Sequence, residues 1–177
     1  SGTYYIKSTS GTCSDIEAVT VTVNPTPVLT IATPAAVCSP TTVNITSSSV
    51  ITGNTNSGTL SYWQDALATQ PLTNATAITS SGTYYIKSSN GTCFDIEPVT
   101  VTINPTPALT INNPTTVCFP ATVDLTAAAI TTGSTNLGAL TYWTNAAGTS
   151  PLSSPNAVSA SGTYYIKSTS GTCSDIE

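Results

Sequence analysis

The 177-residue chain holds three lysines, eight carboxylates, five cysteines and no histidine, so every group able to move protons or hold a metal can be followed individually. The lysines and six of the carboxylates recur as one set: Lys7 with Asp15 and Glu17, Lys87 with Asp95 and Glu97, Lys167 with Asp175 and Glu177. General acid-base catalysis needs titratable groups gathered in a cleft, and these lie along the two strands of a hairpin. Their simplest reading is a solvated ion pair across an exposed hairpin, worth about 0–1 kcal/mol. Two sharper chemistries use the same residues. Asp95 and Glu97, two apart on a strand, share a face and with linker carbonyls form a weak calcium site, although two carboxylates are few ligands and Lys87 is a poor neighbour for a cation. A crosslink from Lys87 to an Asn or Asp would need an apolar setting for the lysine, which the sequence does not supply. No catalytic residue, no confident metal site and no other cofactor are assigned, and the chain is not read as an enzyme.

These residues recur because the chain repeats. The string SGTYYIKS opens at Ser1, Ser81 and Ser161, a period of 80 with no insertion or deletion, and residues 161–177 copy residues 1–17 letter for letter. Val37-Cys38 returns as Val117-Cys118, Tyr62-Trp63 as Tyr142-Trp143, and Asn24-Pro25-Thr26-Pro27 as Asn104-Pro105-Thr106-Pro107. Such self-similarity is the signature of a reused structural module.

The elements that carry these residues are strands. Ser and Thr make up roughly a third of the chain and charged residues 6%. Val, Ile, Thr and Tyr suit a pleated, half-buried surface, and no segment has helical spacing. Short alternating segments predict strands near 28–31, 42–48, 59–64, 75–79, 83–88 and 92–103, with turns at 53–58, 71–74, 80–82 and Asn90-Gly91. The fold class is all-β, with tandem sandwich domains in an extended rod. One complete domain spans 24–104. Residues 1–23 read as the C-terminal hairpin of a preceding domain, and 105–177 as a following one lacking the end of its last strand. In each NPTP linker alternating prolines restrict the backbone to extended geometry, which makes a stiff spacer and a rise of roughly 40 Å per repeat.

A unit of 80 residues buries a modest core and benefits from a covalent staple. The expected pairs are Cys38 with Cys93 and Cys118 with Cys173, both 55 apart, with the partner of Cys13 in the preceding domain. The rival pairing of Cys13 with Cys38 would cross the linker. The spacing matches no zinc finger, and paired cysteines imply an oxidising compartment.

Ser81-Gly82-Thr83-Tyr84-Tyr85 resembles the turn and F-strand signature of immunoglobulin variable domains, with Ile86 where that family has a cysteine. The resemblance implies that Tyr84 and Ile86 point into the core, that Tyr85 and Lys87 face out, and that Trp63 is the core tryptophan; Tyr164, Ile166 and Trp143 repeat the set. The wider unit, NPTP, VCSP, YW, SGTYYIK and NGTC in order, resembles Ig-like repeats of large Bacteroidota surface proteins and gliding adhesins. It implies a structural array on the cell surface, acting as a stalk or filament, whose partners are neighbouring repeats, other copies in a filament and an unspecified surface or glycan ligand. A carbohydrate-binding module accessory to a secreted enzyme is the alternative, but it would need more exposed aromatics than Tyr85 and its copies. A net charge of -5 argues against nucleic acid. No apolar run is long enough to span a bilayer. Three glycosylation patterns, at Asn44, Asn74 and Asn90, are what chance gives in so Thr-rich a chain.

Overall fold

A computed structural model describes residues 1–56 and 58–177. Among them the regular structure consists of strands and one 3-10 turn at Ala128–Thr131. In chain order the strands are β1 (Gly2–Ser10), β2 (Cys13–Val21), β3 (Val28–Ile31), β4 (Val37–Cys38), β5 (Ile51–Thr55), β6 (Thr59–Trp63), β7 (Gly82–Asn90), β8 (Cys93–Val101), β9 (Ile103–Asn104), β10 (Ala139–Trp143), β11 (Tyr165–Ser170) and β12 (Cys173–Ile176). The protein is all-β.

The chain packs as two compact units. The first comprises Ser1–Pro34, Asn44–Thr76 and Thr83–Thr100. It contains the β1–β2 hairpin, an antiparallel β3–β5 pair and the sheet β6-β7-β8. Gly91, at φ 63, makes the tight turn between β7 and β8 in a conformation that other side chains rarely adopt. Along β7 the side chains alternate, so Ile86 and Ser88 are buried while their neighbours are half-exposed. Ser88 is tolerable in the interior because its hydroxyl donates to Asn54 Oδ1 (3.0 Å) and accepts from the Gly58 N–H (3.3 Å). The segment expected to turn at 53–58 instead extends β5 through Thr55, since Val28, Leu29 and Thr30 pair with Thr55, Asn54 and Gly53.

The second unit comprises Ala35–Val43, Ala77–Gly82 and Val101–Glu177. It contains the parallel pair β4–β9 and the antiparallel sheet β10-β11-β12. Two of the expected strands shrink here to one bridge, Val43 with Ile78. The next repeat matches it 80 residues on with Val123 and Val158, extended by the Leu125 N–H donating to the Pro155 carbonyl (2.8 Å). A cavity of about 500 Å³ lies between that pair and β11, lined by Val123, Leu125, Val158, Tyr164 and Ile166 among others. The paired segments and the three-stranded sheet thus face one another across this cavity. The Tyr164 hydroxyl donates to the Ala160 carbonyl four residues upstream (2.9 Å), a corner of the kind that the SGTYY resemblance implies.

The core differs from expectation at the tryptophans. Ile86 and Ile166 are buried, and Tyr84 and Tyr164 are half-buried on the same face. Directly opposed residues of an antiparallel pair share a face. Tyr62 opposes Ile86, whereas Trp63 opposes Tyr85, so Trp63 lies on the outer face and Tyr62 takes the inward place. The same register puts Tyr142 opposite Ile166 and Trp143 opposite Tyr165. Burial accordingly raises the phenol pKa of Tyr62, and that of Tyr142 with help from the Asp124 charge. Each tryptophan Nε1–H bonds to a hydroxyl of its own strand, that of Ser61 or Thr141, both at 2.9 Å.

Candidate functional site

The charged hairpin is the first place to look for chemistry, and its register separates the charges. In β1–β2, Lys7 opposes Ile16, while Asp15 opposes Ser8 and Glu17 opposes Ile6. In β11–β12, Lys167 opposes Ile176 and Asp175 opposes Ser168. Lysine and carboxylates therefore project from opposite faces, and the expected ion pair of Lys87 with Asp95 and Glu97 gives way to other contacts. Lys87 Nζ stands 4.3 Å from the centroid of the Phe94 ring, a cation–π contact worth about 0.5–1 kcal/mol at an exposed site. Asp95 Oδ2 accepts from the Leu29 N–H at 2.7 Å, and Asp175 Oδ2 accepts from the Leu109 N–H at the same distance. These charge-assisted bonds tie the segment that opens each repeat to its last strand. Glu97 is half-buried beside them. Among the described residues no group of three His, Cys, Asp or Glu side chains gathers where it could hold a metal ion.

The other carboxylates organise loops. Asp65 accepts N–H groups from Leu67 (2.9 Å), Thr69 (3.2 Å) and Gln70 (2.7 Å). Desolvation would raise its pKa, but the bonds from Thr69, Gln70 and Leu67 outweigh it and hold the carboxyl below its ordinary value. Asp124 is likewise lowered, by the Thr126 hydroxyl first and the Thr126 N–H second. The repeats exchange amide and acid at both positions. Asn44 accepts from Thr46 as Asp124 does from Thr126, and Asn145 accepts from Thr149 and Ser150 as Asp65 does in its own loop. An oxygen acceptor is what each loop requires, with or without charge.

The cysteines form the one covalent feature, and their partners are not those expected. Cys38 is bonded to Cys173, with Cα atoms 5.6 Å apart and a sequence separation of 135. That separation is the expected 55 plus one full period of 80. The reason lies in strand pairing. Val37 and Cys38 run parallel to Ile103 and Asn104, at the entrance to the following repeat, and the Ser39 N–H donates to the Asn104 carbonyl (2.9 Å). Cys173 Sγ lies 3.8 Å from that same carbonyl. Cys93, eleven residues before Asn104 along the last strand, is separated from it by roughly 35 Å of extended chain. Its sulfur lies instead 3.7 Å from the Asn24 carbonyl. Cys93 and Cys118 are therefore free thiols, as is Cys13, and the expected Cys38–Cys93 and Cys118–Cys173 bonds are replaced by one bond between successive repeats.

Asn104 is the residue that the sequence reading passed over. Besides its carbonyl contacts, its Nδ2 donates to Thr172 Oγ1 (3.4 Å), and it crowds Gly171 so closely that a Cβ there would meet Nδ2 at 2.5 Å. The Asn before each first linker proline was visible as a repeated letter, and so was its distance of 69 residues from the cysteine it faces, since 93 minus 24 equals 173 minus 104.

No family model matches the sequence, and no curated protein matches it. Two solved structures of titin domains are similar in shape: the titin Z1Z2 domains in complex with telethonin (11% identity, TM-score 0.36) and a chimeric titin Z1Z2 carrying a KLER exogenous peptide from decorin (10% identity, TM-score 0.32). Each comparison covers 88% of this chain and 95% of the other. The chain itself is an all-β protein built on an 80-residue repeat, with a disulfide joining one repeat to the next.

Proposed function

We propose that the chain is a segment of a structural array on a cell surface, of the kind used by large Bacteroidota surface proteins, serving as a stalk or filament for attachment. The observation that carries this reading is the recurrence of backbone-locking contacts at an 80-residue offset. Ser1 Oγ donates to the Val23 carbonyl (3.1 Å) and accepts from its N–H (2.8 Å), and Ser81 Oγ does the same with Ile103 at 3.0 and 2.8 Å. Asp95 with Leu29 and Asp175 with Leu109 repeat likewise. A module reused with its contacts intact builds length.

Two further observations favour a role outside the cell. The disulfide forms only where the surroundings are not reducing. Three lysines in 177 residues leave few sites for trypsin-like proteases. Four of the carboxylates, Asp65, Asp95, Asp124 and Asp175, hold loops and strands in place, and the bonded cysteines join repeats. Electron microscopy of the intact cell-surface material tests the reading. Beaded filaments labelled by an antibody to this chain, with an axial repeat of roughly 40 Å for a compact domain plus a short extended linker, are expected. Labelling confined to the cell interior, or globular unassembled particles, would sink it.

A further inference from the structure

We propose that the Cys38–Cys173 bond is a redox-controlled limit on extension: while it is closed, tension along the chain passes through its two sulfurs and residues 39–172 carry none, and its reduction by a dithiol releases that length. The inference goes beyond the cell-surface reading and does not rest on it, since it holds for tension from any source.

The load path follows from connectivity. A pull that enters before Cys38 and leaves after Cys173 meets a covalent bridge whose Cα atoms are 5.6 Å apart, while the backbone between the same two residues runs through a sequence separation of 135. The short path tightens first and the long one stays slack. Strands β5 to β11 lie wholly inside the slack loop, so the sheet β6-β7-β8 and the β10–β11 pair are spared. Outside it stand β1, β2 and β3, with β4 ending at Cys38 and β12 beginning at Cys173. Residues 1–37 and 174–177 alone can then be drawn out, a contour of no more than about 150 Å at about 3.6 Å per residue.

Apart from the sulfurs, the same place is held lightly. Strands β4 and β9 pair over two residues, Val37 with Ile103 and Cys38 with Asn104. Two backbone bonds join them, from the Val37 N–H to the Thr102 carbonyl (3.1 Å) and from the Ser39 N–H to the Asn104 carbonyl (2.9 Å). Beside Cys173, Asn104 Nδ2 donates to Thr172 Oγ1 at 3.4 Å. Water replaces each of these partners at little net cost, so they yield one after another under load, and a covalent bond does not.

The release step is a thiol–disulfide exchange. Cys173 is 2% exposed and Cys38 is half-buried, so the attack falls on the Cys38 sulfur. A thiolate of the dithiol forms a mixed disulfide with Cys38, and Cys173 leaves as a thiolate and takes up a proton. The second thiol of the reagent then displaces Cys38 and closes the reagent's own disulfide. The protein bond has gained two electrons and two protons, and the dithiol has lost them. Tension speeds the step, because the two sulfurs part along the line of pull.

The test is force-clamp stretching of the 177-residue chain, held by cysteine-free peptide tags at its two ends, with and without dithiothreitol. Without reductant the contour length should stop at about 150 Å. With dithiothreitol a further contour of about 450–490 Å should appear, after a delay that shortens as the clamp force rises. Cys38→Ser should give the full length without reductant, a readout that holds whether or not the variant folds. Cys93→Ser and Cys118→Ser, alone or together, should leave the limit in place. A non-reduced chain that passes the limit by about 80–90 Å, the stretch from Cys93 to Cys118, would carry bonds within each repeat and overturn the proposal. A non-reduced chain that runs to full length, a limit that persists in Cys38→Ser, or a delay in dithiothreitol that does not change with force would overturn it equally.

Discussion

At the scale of single residues, the repeats act as internal controls on one another. Asp65 and Asn145 hold equivalent loops, and so do Asn44 and Asp124, so the acid is dispensable for geometry and matters only through its charge. Asp65 titrates below its ordinary value in the folded chain. A carboxyl depressed by folding contributes stability above its unfolded pKa, about 3.9, and loses that contribution as pH falls through the lower folded value. Thermal unfolding followed from pH 6 downward should therefore show Asp65→Asn losing less stability than the parent below about pH 4. Parallel curves would refute the role. Inside the first unit, Ser88 offers a harsher test. Ser88→Val fits the space but strands the Gly58 N–H and the Asn54 amide, and chemical denaturation should show a loss of about 1–3 kcal/mol. Trp63→Phe, on the outer face, should cost less than Ile86→Ala, for which about 2–5 kcal/mol is expected.

At the scale of elements, most of the pattern was open to reading from the sequence. The segments β3, β6, β7 and β8 fall where alternation of Val, Ile, Thr and Tyr placed them, and the turn at Gly91 where Asn-Gly indicated it. What escaped was whatever depended on a partner strand. The turn expected at 53–58 rests on Gly53 and Asn54, yet residues 53–55 pair with β3, and the missing Cβ of Gly53 leaves room for Thr30. The facing of Trp63 was hidden because a YW dipeptide puts one aromatic on each side of a strand, and only the register with β7 decides which. The role of Asp95 and Asp175 was hidden for the same reason, since their acceptor bonds reach back 66 residues to Leu29 and Leu109. Asp175→Ala should free the segment around Leu109. Hydrogen exchange at the Leu109 amide should quicken, with about 1.5–3 kcal/mol lost from local protection. Unchanged exchange at Leu109 would remove Asp175 from the scaffold.

At the scale of the whole molecule, the period of 80 and the all-β class were legible in the letters, and the cysteine pairing was not. Intervals of 55 are equal for both expected pairs and carry no information about which repeat supplies the partner; strand β4 decides it by running alongside β9. Closing a loop of 135 residues stabilises by about 5 kcal/mol on the chain-entropy model, which makes this bond the strongest single constraint in the second unit. Reduction should lower the melting temperature of that unit, and Cys38→Ser should reproduce the effect without reductant. The most direct measurement is a non-reduced tryptic map of the monomer, because cleavage after Lys7, Lys87 and Lys167 puts Cys38, Cys173 and the pair Cys93 and Cys118 on three different peptides. A bond from Cys38 to Cys173 joins Ser8–Lys87 to Ser168–Glu177 and leaves Ser88–Lys167 unlinked. Ser8–Lys87 joined to Ser88–Lys167, with Ser168–Glu177 also attached to it, would restore pairing within each repeat and contradict the junction described above.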